Sequence, residues 1–175
     1  MSYCNFCANL PEENVHKRYH DYHYGFRITD DYELFGRLIM EINQAGLSWE
    51  TILKKENHFR AAFSNFNYHE IAEYDDKKIE ELLQNPGIIR NKLKINAVIY
   101  NAQQIIELNK EFGSFLAWID AQNAKTRDEW VKIFKKNFKF VGGEIVNEFL
   151  MSIGTLEGAH IETCTIYQTL KNQIS

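Results

Sequence analysis

Lys94-Ile95-Asn96-Ala97-Val98-Ile99-Tyr100-Asn101-Ala102-Gln103-Gln104-Ile105-Ile106 is the stretch that decides the fold class. Its apolar residues Ile95, Val98, Ile99, Ala102, Ile105 and Ile106 keep the three-and-four spacing of one helix face. Polar residues fill much of the rest, as a helix laid against a core requires. The same period recurs on both sides. Upstream, Leu34, Leu38, Ile39 and Ile42 form a stripe, and Asp30 with Glu33 ahead of it make a capping-box pattern. Phe59, Ala62, Phe63 and Phe66 repeat the spacing, and Asn67 with Glu70 and Thr126 with Glu129 mark two more helix starts. Downstream come Phe112, Phe115, Leu116 and Ile119, then Trp130, Val131, Phe134 and Phe138, then Ile145, Val146, Phe149, Leu150 and Ile153. No period-two alternation is long enough for a strand, and only Pro11 and Pro86 break helices. The expectation is an all-α chain whose first thirty and last twenty residues are less periodic.

The 175 residues suit one domain, or two small lobes sharing a core. The reading is a single domain over 1–175. Hydrophobic residues at 45% and charged residues at 25% are an ordinary globular balance. Aromatics at 14% are abundant, and core filling accounts for most of the rings. A net charge of -4 excludes a uniformly basic coat but leaves room for a local positive face. No stretch approaches the roughly 20 apolar residues of a membrane span. Met1-Ser2-Tyr3-Cys4-Asn5 lacks a basic region followed by an apolar run, so no secretory signal is expected. Three cysteines without an export signal suit the reducing cytoplasm, where metal binding explains them better than disulfides.

Cys4, Cys7, His16, His20 and His23 crowd the N-terminal segment, and His160-x3-Cys164 lies near the other end. Thiolates and imidazoles are the ligands that tetrahedral zinc takes. A shared ion would tie the two chain ends together. Cys4, Cys7, His160 and Cys164 form one possible set, and Cys4, His20, His160 and Cys164 another. Spacing alone also allows unrelated buried thiols and surface histidines.

Longer blocks add a resemblance. They are Tyr19-His20-Asp21-x3-Gly25, Met40-Glu41-x2-Gln44-Ala45-Gly46-Leu47-Ser48-Trp49-x-Thr51-Ile52-Leu53-Lys54-Lys55, Gly87-Ile88-Ile89-Arg90, Lys94-Ile95, Asn101-Ala102 and Phe138-Lys139-Phe140-Val141-Gly142, followed by His160-x3-Cys164. In this order the chain resembles the type I 3-methyladenine DNA glycosylases. The resemblance implies a helix-hairpin-helix fold and one structural zinc per chain, held by Cys4, His20, His160 and Cys164. Cys7 becomes a spare thiol, and His23 falls outside the metal shell.

The resemblance also implies a base-recognition carboxylate at Glu41. From the stripe alone, Glu41 reads as a solvated edge residue, because glutamate is rarely buried. N3-methylated adenine is a cation with a weakened glycosidic bond, so its departure needs little acid assistance. Glu41 can accept a hydrogen bond from the exocyclic amine and favour the cationic base. Tyr19 and Trp49 would flank the flipped base. By position Phe6, His16 and Tyr24 join them, although the family usually has Trp, Tyr and Trp there. Ile42 and Asn43 are further departures. No lysine takes a nucleophile's place, so monofunctional hydrolysis without strand cleavage is expected.

Double-stranded alkylated DNA is the implied partner, with no obligatory protein partner. Pro86 and Gly87 make a turn between helical stretches. Gly87, Ile88 and Arg90, with Lys92 and Lys94 adding charge, would anchor a phosphate there. Composition alone reads the same turn as solvated. Lys132, Lys135, Lys136 and Lys139 form a second basic cluster. Gly46 and Leu47 would fill the gap left by the flipped nucleotide, with plain core as the competing role for Leu47. Two alternatives remain: a zinc-stabilised, non-catalytic DNA-damage-binding module, and a glycosylase for another methylated purine.

Overall fold

The structure, a computed structural model, describes residues 2–174, with side chains through residue 171. Among the described residues there are helices and no strand. In chain order they are α1 (Tyr3–Cys7), α2 (Val15–Tyr22), α3 (Asp31–Gln44), α4 (Trp49–Lys54), α5 (Glu56–Ala62) and α6 (Tyr68–Ala72). Then follow α7 (Asp76–Gln84), α8 (Lys92–Phe112), α9 (Phe115–Asp120), α10 (Arg127–Asn137), α11 (Gly143–Ser152) and α12 (Thr165–Ile174). A 3-10 turn, Ser64–Phe66, lies between α5 and α6. None of the described helices is long and apolar enough to cross a membrane. The chain divides into two compact units, Met1–Arg27 with Glu148–Ser175, and Ile28–Asn147.

The second unit is built on α8, the 21-residue helix that the opening stretch predicts. Ile95, Val98, Ile99, Ala102 and Ile105 are buried, and α8 packs on α6 and α9. Leu34, Phe35, Leu38, Ile39 and Ile42 of α3 are sealed from solvent. Trp118 of α9 meets Phe134 of α10 and Phe138 edge-on, at 5.4 and 5.3 Å between ring centroids. Such pairs add about 1 kcal/mol each beyond the area they bury.

The helix starts divide by what their side chains reach. Thr126 and Glu129 form the reciprocal capping box. Asn67 accepts from the N–H groups of His69 and Glu70. Asp30 likewise accepts from the N–H groups of Tyr32 and Glu33, but Glu33 does not complete a box. Its carboxylate takes both arms of Arg60 instead. Two bonds from a guanidinium outweigh one from a backbone N–H.

Two apolar stripes cross helix boundaries. The 59–66 stripe breaks after α5, where Ser64, Asn65 and Phe66 adopt left-handed φ values of 50, 53 and 63°. The cause is tertiary. The buried Phe66 ring lies against Gly36, and a Cβ added there would sit 2.2 Å from Phe66 Cδ2. Gly36→Ala therefore costs about 3 kcal/mol by overpacking, read as a lower urea midpoint with an unchanged slope. The 112–119 stripe breaks at Gly113, between α8 and α9. Asp31, at the start of α3, accepts from the N–H groups of Phe115 (2.7 Å) and Leu116 (3.0 Å). It satisfies donors that the first turn of α9 leaves unpaired.

Among the described residues no helix of the first unit exceeds 10 residues, against 21 in α8. It buries Phe149 and Leu150 of α11 and Ile153 just after it, and it carries a cluster of rings beside sulfur and imidazole groups.

Candidate metal centre and base site

Cys4 comes from α1, His20 from the last turn of α2, and Cys164 from the residue before α12. With His160 in the preceding loop, they offer ligand atoms within 4.8 Å of one another. Cys4 Sγ is 3.6 Å from His160 Nδ1, and Cys164 Sγ is 3.7 Å from His20 Nε2 and 3.8 Å from His160 Nδ1. The two imidazole nitrogens face each other at 3.2 Å.

Neighbouring groups decide which nitrogens point inward. His160 Nε2 donates to the Tyr24 carbonyl at 2.7 Å, and His20 Nδ1 donates to Asp21 at 2.6 Å. Both outer nitrogens therefore carry protons, and in the neutral rings both inner ones hold bare lone pairs. Burial raises the Asp21 pKa, but hydrogen bonds from Lys17 and His20 outweigh it and leave the carboxyl below its ordinary range. Burial lowers the His160 pKa, which favours the neutral imidazole. Two facing lone pairs beside two thiols could hold a metal ion.

Cys7 lies outside this set. It is sealed in the interior, and its thiol donates to the His16 carbonyl at 3.7 Å. Burial lifts its pKa to about 11. His23 is exposed and also lies outside.

The four aromatic or imidazole residues expected from this unit gather around Tyr3, which sequence reasoning missed. Phe6 stacks on it at 6.2 Å, and His16, Tyr19 and Tyr24 lie 5.8, 6.5 and 5.5 Å away between centroids. The Tyr3 hydroxyl is 3.0 Å from His16 Nδ1, and burial raises its pKa, which keeps it protonated. The only signal in the sequence was a ring next to Cys4.

In the second unit, Glu41 stands in the last turn of α3 and is 4% exposed. The solvated-edge reading of Glu41 is thus corrected. Burial penalises a carboxylate, and the negative end of a helix penalises it further. Arg37, one turn earlier, is also buried. Beyond α3 lies a tight turn, in which the Leu47 N–H donates to the Gln44 carbonyl at 2.7 Å. Gly46 takes φ 82°, and Leu47 is 38% exposed, so it is not plain core. Ser48 caps α4, whose first residue is Trp49.

Between α7 and α8, the Gly87 N–H donates to the Asn85 side chain at 2.8 Å, and Lys55 holds the Pro86 carbonyl at 3.1 Å. Arg90 and Lys92 are exposed. Ile88 has a buried side chain, so only its backbone could meet a ligand. Lys94 is not a free cation. It is buried, and its ammonium donates to the carbonyls of Asn43 and Ala45, both at 2.8 Å.

The family model described as methyladenine glycosylase matches residues 9–135. The DNA-3-methyladenine glycosylase 1 of Escherichia coli is 32% identical, over 92% of this chain and 96% of its own. The Haemophilus influenzae DNA-3-methyladenine glycosylase is 30% identical, over 90% and 95%. The solved 3-methyladenine DNA glycosylase I of Staphylococcus aureus superposes with a TM-score of 0.81 at 28% identity, covering 94% of this chain and 97% of that one. The match shows that the two chains share a fold, which here is helical throughout the described residues. With a family model over residues 9–135 and relatives matched almost end to end, the chain belongs to the methyladenine glycosylase family.

Proposed function

We propose that the whole chain, residues 1–175, acts as one monofunctional glycosylase domain that hydrolyses 3-methyladenine from alkylated double-stranded DNA. The observation that carries this reading is Glu41, a carboxylate held in the interior in the last turn of α3. A related solved structure is a complex with 3-methyladenine.

The flipped base enters as a cation. Glu41 accepts a hydrogen bond from its exocyclic amine, and the carboxylate's charge favours the cation over normal adenine. Tyr19 and Trp49 flank the ring, with Phe6, His16 and Tyr24 shaping its surroundings. The N9–C1′ bond breaks and its electron pair returns to the base, which leaves neutral. Water adds to C1′ and loses a proton, leaving an abasic sugar in an unbroken strand.

The first unit's Cys4, His20, His160 and Cys164 fit zinc. Zn–N bonds of about 2.0–2.1 Å and Zn–S bonds of about 2.3 Å give tetrahedral edges of about 3.3–3.8 Å. Four of the six separations, 3.2 to 3.8 Å, lie in that range or just below it, and all six are within 4.8 Å. One ion per chain supplies structure only, tying the N- and C-terminal segments of that unit. Three free cysteines suit a cytoplasmic protein.

DNA binding follows a helix-hairpin-helix arrangement, with α7 and α8 flanking the turn. Gly87, Ile88 and Arg90 meet the phosphates through backbone N–H groups and one guanidinium, while Gly46 and Leu47 enter the gap left by the base. Lys132, Lys135 and Lys136, exposed on α10, add long-range attraction. Arg90→Ala is expected to lower the slope of log affinity against log salt by about 1, by fluorescence anisotropy.

The test is chromatography of the bases released from alkylated duplex by purified protein. Release of 3-methyladenine supports the reading. Release of another methylated purine shifts the substrate. Binding of alkylated duplex with no base released selects the non-catalytic damage-binding module.

A further inference from the structure

Lys94 belongs to a basic stretch near the proposed hairpin, yet its ammonium is turned into the protein. It is 4% exposed, and its ammonium reaches back to the end of α3. One of its acceptors, the Asn43 carbonyl, is left over where α3 runs out. The other, the Ala45 carbonyl, belongs to the turn that carries Leu47.

That turn, Gln44-Ala45-Gly46-Leu47, is type II. Ala45 has φ -51° and ψ 116°, Gly46 has φ 82°, and the Leu47 N–H closes on the Gln44 carbonyl at 2.7 Å. The Gln44 side chain braces it by donating to the Leu47 carbonyl at 3.0 Å. Types I and II differ by a flip of the central peptide, which here is Ala45–Gly46. Its carbonyl is the oxygen that Lys94 holds at 2.8 Å. A flip would break that charge-assisted bond and aim an N–H at the ammonium. The geometry points to Lys94 as a positioning residue: it locks the Ala45–Gly46 peptide in the type II orientation and so sets the direction in which Leu47 meets the duplex.

The same ammonium lies 5.9 Å from the Phe140 ring, whose backbone is left-handed at φ 59°. The buried Asn101 side chain clamps residue 139 from both sides, accepting from its N–H at 2.8 Å and donating to its carbonyl at 3.0 Å. Asn101 thus holds the backbone next to Phe140, and Lys94 lies within cation–π range of its ring and within hydrogen-bond reach of the 44–47 turn.

This inference rests on the proposed entry of Leu47 into DNA, and its test separates the two. Lys94→Met keeps the aliphatic stem and removes the donors. Lys94→Met, Leu47→Ala and the double variant are compared in three measurements. These are single-turnover release from alkylated duplex, affinity for free 3-methyladenine, and the spectrum of protein labelled with 15N-glycine, which has nine glycine residues. In Lys94→Met the Gly46 amide signal moves and duplex release falls about tenfold, while affinity for the free base stays within about twofold. The double variant is no slower than the slower single one, because Lys94 acts through Leu47. A Gly46 signal that stays in place overturns the inference. So does a loss of free-base affinity equal to the loss of release. If Leu47→Ala releases base as fast as wild type, the Leu47 reading falls, and the Gly46 signal alone decides for or against the lock.

Discussion

Glu41→Ala is expected to slow release of 3-methyladenine by about 10²–10³-fold in single-turnover assays, the scale of losing one preorganised group at a reacting centre. Glu41→Gln separates charge from hydrogen bonding. The carboxamide keeps the volume and one acceptor oxygen but loses the negative charge that favours a cationic base. Its expected loss is roughly tenfold to hundredfold, because charge-assisted bonds are about twice as strong as neutral ones. Alanine must therefore be slower than glutamine, and glutamine slower than wild type. Equal rates for glutamine and wild type would mean that the charge at Glu41 contributes nothing.

The second large effect concerns the proposed zinc site. Cys164→Ala, or a strong chelator, is expected to remove the zinc and destabilise the protein by about 5 kcal/mol or more. Structural zinc sites contribute that much or more to small domains. The short α1 and α2 offer little to replace it. Without the ion, two imidazole lone pairs face each other at 3.2 Å in a buried setting. Hydrogen exchange should rise first in residues 3–22 and 148–164, the segments the site joins. Elemental analysis of freshly purified protein should give one zinc per chain. Protein free of zinc, with a chelator leaving its melting temperature unchanged, would contradict the assignment.

The parts of this molecule that were legible in the sequence depend on near neighbours. The buried face of α8 follows from its three-and-four spacing, and the Thr126–Glu129 box from residues three apart. Other features depend on partners far along the chain. The break at residues 63–66 arises because Gly36 leaves room for Phe66, which no local pattern announces. The start of α9 is capped by Asp31, 84 residues before Phe115. Lys94 has the composition of a surface cation, and only its acceptors at Asn43 and Ala45 show otherwise. Spacing left Cys7 and His20 as rival ligands. Geometry separates them, since His20 faces His160 while the Cys7 thiol turns to the His16 carbonyl. Tyr3 escaped notice because one ring among many carries no periodic signal.

The most direct test of the account is base release from alkylated duplex by wild type and Glu41→Ala, side by side, with the products separated by chromatography. The account predicts free 3-methyladenine from an unbroken strand with wild type, and its near absence with the variant. Release unaffected by Glu41→Ala, or none from zinc-loaded wild type that binds the duplex, would contradict it.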